Sequence, residues 1–180
     1  MSDGGGPDDS SSDEASDDDT LAVDADDLAG VVDLFGALTA AELRKALGEL
    51  AFKRDVPEPP DSLVDDAVAS YHLVEHDGLL VVGPAAFPTL PEGAADLPHI
   101  LDVDREAPAT DAVAQTAERR FREEAGRTLE RESPDPSAVE RLVDVSYDLE
   151  AWGPVDVGEV RERLVAAESD LTDSTDATEG

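Results

Sequence analysis

Two histidines and a glutamate have the spacing in this chain that comes closest to catalytic chemistry. The segment His72-Leu-Val-Glu75-His76 has the order H-x-x-E-H. On a helix, this order places both histidines where they can bind one zinc ion while the glutamate acts as a base. Here Asp77-Gly78 follows at once and Leu73-Val74 favours a strand, on which residues four apart are separated by about 13 Å. That is too far for one zinc ion with ligands at about 2 Å, so we predict no metal site.

Adjacent carboxylates such as Asp65-Asp66 and Glu123-Glu124 could in principle serve as an acid and a base. In a chain with 45 acidic residues among 180, however, adjacent acids are expected by chance. A catalytic carboxylate needs a buried setting that shifts its pKa, and nothing in the sequence identifies one. The sequence also lacks a glycine-rich phosphate loop, a nucleophile elbow and a dinucleotide fingerprint. We therefore expect no catalytic residues, no cofactor and no enzymatic activity.

The charge of the chain indicates its surroundings more clearly than its activity. The 45 acidic residues face 13 basic ones, for a net charge of −32, and only two of the bases are lysines. Such a charge repels itself at ordinary ionic strength, whereas molar salt shortens the screening length to about 3 Å. This composition predicts a halophilic protein whose carboxylates attract K⁺ as nonspecific counterions. It disfavours nonspecific binding to nucleic acid and to anionic membranes.

The sequence also predicts where the protein resides and which segments fold. The N-terminus lacks the basic flank and apolar stretch of a signal peptide, and no apolar run is long enough to span a membrane, so we expect a cytoplasmic protein. Residues 1–27 and 168–180 contain many acids and no base. Both segments are predicted to be disordered acidic tails, because they have little apolar area to offset chain entropy.

The first half of the remaining chain predicts three helices and a hairpin. Asp27 is a candidate cap for a helix over residues 28–36, and Thr39-Ala-Ala-Glu42 is a capping box that opens a second helix. A third helix should start at residue 61 or 62. A strand at 73–75, a turn at Asp77-Gly78 and a strand at 79–82 complete the set. This order resembles a winged helix-turn-helix module over residues 28–84.

The second half predicts an ordered connection and a helical unit. Residues 85–110 form a proline-rich segment, termed the strap, that is too apolar for a free linker and too rich in proline for regular helix. Helices are predicted over 111–132, 137–152 and 156–167, which makes 111–167 a helical C-terminal unit. The fold class is therefore mainly α with a small β-hairpin.

Two kinds of partner remain open on the residues alone. A protein partner, or a second copy of the chain, could use the large apolar side chains Phe87, Leu90, Tyr147 and Trp152, although all four are equally plausible as core residues. DNA could be bound by the basic residues Arg44, Lys45, Lys53 and Arg54. The third helix offers acids where a reading helix needs Arg, Lys, Asn or Gln, so DNA is disfavoured. We expect a non-enzymatic interaction or regulatory module, with a winged-helix transcription regulator as the alternative.

Three stretches carry a resemblance to a known family. LAGVVDLFGALTAAEL, GPAAFPTLPEGAADLPHILDV and DVSYDLEAWGPVDVGEVRERL are together similar to an uncharacterised family of small haloarchaeal proteins. The resemblance covers most of residues 28–167 and implies a halophilic, cytoplasmic setting. It assigns no activity, and it therefore transfers no functional residue to this chain.

Overall fold

The computed structural model of the chain describes residues 20–176. Within that range lie seven α-helices and one two-stranded antiparallel sheet, so the prediction of a mainly α fold with a small hairpin is confirmed. The elements in chain order are α1 Ala25–Phe35, α2 Ala40–Arg54, α3 Ser62–Ala69, β1 Leu73–His76, β2 Leu79–Val82, α4 Leu97–Ile100, α5 Thr110–Leu129, α6 Pro136–Trp152 and α7 Gly158–Asp176.

Capping explains where the first two helices begin. The capping box predicted for α2 is present: Glu42 N–H donates to Thr39 Oγ1 at 3.2 Å, and Thr39 N–H donates to Glu42 Oε2 at 2.8 Å. The predicted cap of α1 was wrong. Asp24 is the N-cap, and Asp27 is the residue three positions later that completes a second capping box.

Both predicted acidic tails include residues that belong to the folded part of the chain. Leu21 is buried in the core and its N–H donates to the Pro57 carbonyl at 3.1 Å, so residues 21–27 belong to the folded part. At the other end, α7 continues through Asp176, past the predicted end at residue 167. Leu171 packs against the C-terminal core and supplies the apolar contact that the prediction overlooked. The remainder of the two tails, residues 1–19 and 177–180, lies outside the described residues.

The hairpin forms where it was predicted. β1 and β2 pair with Leu73 opposite Val82 and Glu75 opposite Leu80. Asp77 and Gly78 both have positive φ, 50° and 77°, as the two central residues of a type I′ turn require. The connection between α1 and α2 adds one further bridge, because Leu38 and Leu80 exchange backbone hydrogen bonds of 3.1 and 2.6 Å.

Two hydrophobic cores meet at this hairpin. The first is built by α1, α2, α3 and part of the strap, and the second by α5, α6 and α7. Successive strand residues point to opposite faces, and accordingly Leu73 lies in the first core while Val74 lies in the second. Tyr71, at the start of the hairpin, is buried in the second core, and its hydroxyl donates to Glu124 on α5 at 2.8 Å. The hairpin therefore couples the two units.

The strap is ordered and lies against the first unit. Phe87 N–H donates to Asp26 Oδ1 at 2.8 Å, and Thr89 N–H donates to the Asp26 carbonyl at 3.1 Å. It crosses α1 so closely at Gly30 that a Cβ there would lie 1.7 Å from the Thr89 carbonyl oxygen. The expectation that the strap contains no helix was wrong: α4 is a single helical turn that accommodates Pro98, since the first turn of a helix does not need the missing N–H.

Candidate functional site

The four basic residues predicted to contact DNA all lie on α2, and the structure separates them into two pairs. Lys53 forms an ion pair with Asp96 at 3.1 Å, and Arg54 Nη2 donates to the Glu92 carbonyl at 2.8 Å. Both partners belong to the strap, so this pair holds the strap against the end of α2. Arg44 and Lys45 lie earlier on the helix and face a surface concavity.

This concavity lies between α2 and the segment that leads into α3, and we term it the α2 groove. It has a volume of about 570 Å³ and is open to solvent. Its lining consists of two cations, three carboxylates, one glycine and one aromatic ring, from Arg44, Lys45, Gly48, Glu49, Phe52, Glu58 and Asp61. A groove of this size accommodates a few side chains of a partner rather than a folded domain.

Phe52 is the most exposed large apolar side chain among the described residues, with 84% of its area accessible. It falls in the last turn of α2 on the face that carries Lys45 and Glu49, since residues three, four and seven apart share one side of a helix. The buried stripe of α2 lies on another face and includes Leu43 and Leu47. Phe52 was not predicted as a site residue, although its spacing from Leu43 and Leu47 already places it outside the buried stripe.

Two contacts shape the walls of the α2 groove. Arg44 Nε lies 3.2 Å from Asp61 Oδ1, which brings the entry to α3 against α2. The side chain of Glu58 lies over Gly48, where an added Cβ would come within 3.1 Å of its Oε1. The groove is therefore bounded by ionic side chains, and the Phe52 ring is the only aromatic surface among the lining residues.

The neighbouring helix α3 is acidic on its exposed side. Asp61, Asp65 and Asp66 are all exposed, while Val64 and Ala67 pack into the protein. In the DNA-binding alternative predicted from the sequence, α3 is the helix whose side chains would have to contact base edges in the major groove. Carboxylates in that position would oppose the phosphates on either side.

The two histidines of the H-x-x-E-H segment contact different parts of the fold. His72 Nδ1 lies 2.8 Å from Ser70 Oγ, and its Nε2 lies 3.6 Å from Asp26 Oδ1 on α1. His76 Nδ1 lies 2.8 Å from Thr116 Oγ1 on α5. His72 directly precedes β1 and His76 is its last residue, and within residues 20–176 no cluster of His, Asp and Glu could hold a metal ion.

The four predicted partner-contacting residues lie on two elements. Phe87 and Leu90 are exposed on the strap, Phe87 with 79% of its area accessible. Tyr147 is 57% exposed on α6, where the guanidinium of Arg161 lies 4.4 Å from the centre of its ring. Trp152 is half-buried and packs against the second core. None of the four lines the α2 groove.

Shifted pKa values mark contacts that hold elements together. Hydrogen bonds from Arg105, followed by the Thr39 backbone N–H, lower the pKa of Glu42 to about 2. A hydrogen bond from Arg161 lowers the pKa of Glu150, and this pair ties α7 to α6. Burial, together with Glu124, raises the pKa of Tyr71. These groups join the strap to α2, α7 to α6 and the hairpin to α5, and none of them lines the α2 groove.

The family to which the chain belongs is evident from its sequence. DUF7109, a family of unknown function, matches residues 26–169. The chain belongs to this family. The matched DUF7109 region starts within α1 and ends within α7, so it includes both units, the strap and the whole α2 groove. The expected resemblance to an uncharacterised family is thereby confirmed. No curated protein and no solved structure gives a significant match to this DUF7109 chain.

None of the helices described for the DUF7109 chain combines the length and the apolar composition that crossing a membrane requires.

Proposed function

We propose that the chain is a non-enzymatic protein-interaction module that docks a partner in the α2 groove. The observation that carries this proposal is Phe52, whose ring is 84% exposed on a regular helix in a strongly charged molecule. Exposed aromatic rings next to a concavity are typical anchors of protein interfaces, where a few such side chains supply most of the binding energy. The helix fixes the backbone that carries the ring, so only the side-chain torsions of Phe52 need to be ordered when a partner binds.

We further propose that the first unit is a winged-helix-like module. Its support is the order of three helices and a hairpin, together with the bridge between Leu38 and Leu80. That bridge lies between α1 and α2, where winged-helix proteins carry a short strand that pairs with the hairpin. The module would then present α2 and α3 as its exposed surface, and the α2 groove lies on that surface.

DNA binding is the alternative function, and the position of Arg44 and Lys45 in the α2 groove is what favours it. Three observations weigh against it. Arg44 is paired with Asp61, Lys53 and Arg54 are engaged by the strap, and α3 exposes carboxylates. Of the four bases, only Lys45 has no partner among the described residues. A single free cation provides little of the counterion release that drives DNA binding.

The net charge of −32 supports a halophilic setting for this function, in the cytoplasm of a cell that accumulates K⁺. Molar salt screens the self-repulsion of the carboxylates. It does not screen apolar contacts, because these contacts involve no charge. An aromatic anchor retains its affinity under these conditions, whereas exposed ion pairs weaken.

Site-specific photo-crosslinking in molar KCl tests the proposal. Variants carry benzoylphenylalanine at Phe52, Phe87 or Tyr147, and each is irradiated in lysate of the organism that encodes the chain. We expect a discrete adduct from position 52 that is absent from the other two positions. An adduct confined to position 87 or 147 would move the docking surface, and no adduct at any position would refute a protein partner.

A mobility-shift series with genomic DNA fragments across KCl concentrations tests the alternative. DNA binding predicts saturable shifts that disappear in the double variant Arg44→Glu/Lys45→Glu. The absence of a shift at every salt concentration would reject DNA as the ligand. A shift that the double variant leaves unchanged would reject this surface as its site.

A further inference from the structure

The charges around Phe52 indicate what kind of partner the α2 groove takes. Three carboxylates line the groove, from Glu49, Glu58 and Asp61. Asp65 lies four residues after Asp61, so it continues the same side of α3 one turn further on, and it is exposed. In the lining itself three carboxylates face two cations, Arg44 and Lys45, so the groove is net negative, and Asp65 adds a further negative charge on the side of α3 that carries Asp61.

Most of these carboxylates are unneutralised. Asp61 is paired with Arg44 at 3.2 Å. Within residues 20–176, the side chains of Glu49, Glu58 and Asp65 have neither an ion pair nor a hydrogen bond. These three carboxylates can therefore pair with a ligand, whereas Arg44, one of the two cations, is already paired with Asp61.

We propose that the α2 groove binds a cationic protein segment, in which an apolar side chain packs on Phe52 and flanking Lys or Arg side chains pair with Glu49, Glu58 and Asp65. This inference rests on the proposed docking function and specifies its ligand. Charge complementarity selects the occupant: an acidic segment would have to approach three free carboxylates with one free cation to offset them. Arginine suits this surface well, because its guanidinium both pairs with carboxylates and stacks on an aromatic ring.

The salt dependence of binding distinguishes such docking from general attraction to an acidic protein. Nonspecific attraction between a polycation and this chain acts over the screening length and is lost in molar KCl. The contact with Phe52 is apolar and persists in salt. Specific docking should therefore weaken with KCl and then level off at an affinity that depends on Phe52.

The test uses the full chain and synthetic fluorescein-labelled peptides, with binding followed by fluorescence anisotropy at low and molar KCl. The first peptide alternates Arg and Gly around one central Phe. In the second peptide the Phe is replaced by Ser, and in the third every Arg is replaced by Glu. We expect only the first peptide to bind in molar KCl.

Matched variants locate the binding on the chain. Phe52→Ser and Glu49→Lys/Asp65→Lys should each reduce the affinity for the first peptide at least tenfold. The control Glu140→Lys/Glu162→Lys makes the same change in net charge at exposed helical positions of the second unit and should alter the affinity less than threefold. Circular dichroism melting of each variant checks that the fold is retained.

The outcomes separate the two proposals. Equal losses in Glu49→Lys/Asp65→Lys and in the control, or no binding of the first peptide in molar KCl, overturn the cationic partner. Preference for the Glu peptide with dependence on Phe52 overturns it too, while it keeps the docking surface. If sedimentation shows that the chain self-associates and that Phe52→Ser abolishes this self-association, the occupant of the α2 groove is a second copy. This result also overturns the cationic partner and keeps the docking surface. If neither the peptides nor the crosslinks depend on Phe52, the proposed docking function itself fails.

Discussion

Replacing Glu42 with Gln tests the ion pair that ties the end of the strap to α2. Both guanidinium branches of Arg105 donate to this carboxylate, Nη1 to Oε2 at 2.7 Å and Nη2 to Oε1 at 3.0 Å. The same carboxylate accepts the Thr39 backbone N–H that completes the capping box. Arg105 first, and then this backbone contact, lower the pKa of Glu42 from its ordinary 4.5 to about 2.

The lowered pKa sets an upper limit on what the contact contributes. At about 1.4 kcal/mol for each pKa unit, the change from 4.5 to about 2 corresponds to at most about 3 kcal/mol. Solvent reaches both partners, since the side chains of Arg105 and Glu42 are 29% and 28% exposed, and water and salt screen the pair. We therefore expect Glu42→Gln to lower the free energy of unfolding by about 1–2 kcal/mol at neutral pH.

The lowered pKa of Glu42 also predicts how the stability difference between wild type and Glu42→Gln changes with pH. Because folding lowers the pKa of Glu42, its contribution is complete above pH 4.5 and is lost as the pH falls towards 2. The difference in free energy of unfolding between wild type and Glu42→Gln should therefore shrink over this interval. Urea unfolding in molar KCl at a series of pH values, followed by circular dichroism, measures the difference.

Glu106→Gln is the matched control for this series. Glu106 is exposed, lies next to Arg105 in the chain, and makes no ion pair within the described residues. It should change the free energy of unfolding by less than about 0.5 kcal/mol at any pH. A Glu42→Gln difference that stays constant down to about pH 2, or that equals the control, would refute the role assigned to the ion pair.

Three further variants probe the strap, the hairpin and a half-buried carboxylate, each by urea unfolding. Gly30→Ala should lower the free energy of unfolding by about 1–3 kcal/mol, because its Cβ would lie 1.7 Å from the Thr89 carbonyl oxygen; Gly126→Ala, with open space around it, should not destabilise. Tyr71→Phe should cost about 1 kcal/mol, since it removes a 2.8 Å hydrogen bond to α5, and an unchanged stability would show that this bond does not couple the units. Asp148→Asn should stabilise the protein at neutral pH, because burial raises the pKa of Asp148 and disfavours its charged form. This gain in stability should vanish in acid, where the carboxyl is protonated. A gain that does not depend on pH would contradict burial as the cause.

The features that the sequence predicted well depend on neighbouring residues. The capping box of α2 needs only Thr39 and Glu42, three residues apart, and the hairpin turn needs only Asp77 and Gly78. Both are decided by the backbone hydrogen bonds and dihedral angles of a few consecutive residues. This is why the element order over residues 39–82 could be predicted from the sequence.

The features that it missed depend on contacts between distant residues. At the start of α1, both Asp24 and Asp27 are good caps, and the choice follows from Leu21, which is held against Pro57. Glu42 finds its cation at Arg105, far along the chain, where spacing gives no signal. The α2 groove likewise exists because the chain between α2 and α3 folds back over Gly48, so no local pattern could have defined it.

The negative charge of the molecule explains why an exposed ring such as Phe52 matters for recognition. In brine, the setting that we propose, exposed ion pairs give little affinity and their range is short. A chain with 45 acidic residues therefore cannot choose a partner by long-range attraction. Specific recognition must instead come from contact that excludes water, and this requires an apolar side chain fixed at the surface. Carboxylates beside that side chain then act only at contact distance, where they select a cationic partner and reject an acidic one. On this reasoning, removing the ring should reduce affinity for every partner in molar salt, whereas reversing the charge of the carboxylates should reduce affinity for a cationic segment and raise it for an acidic one.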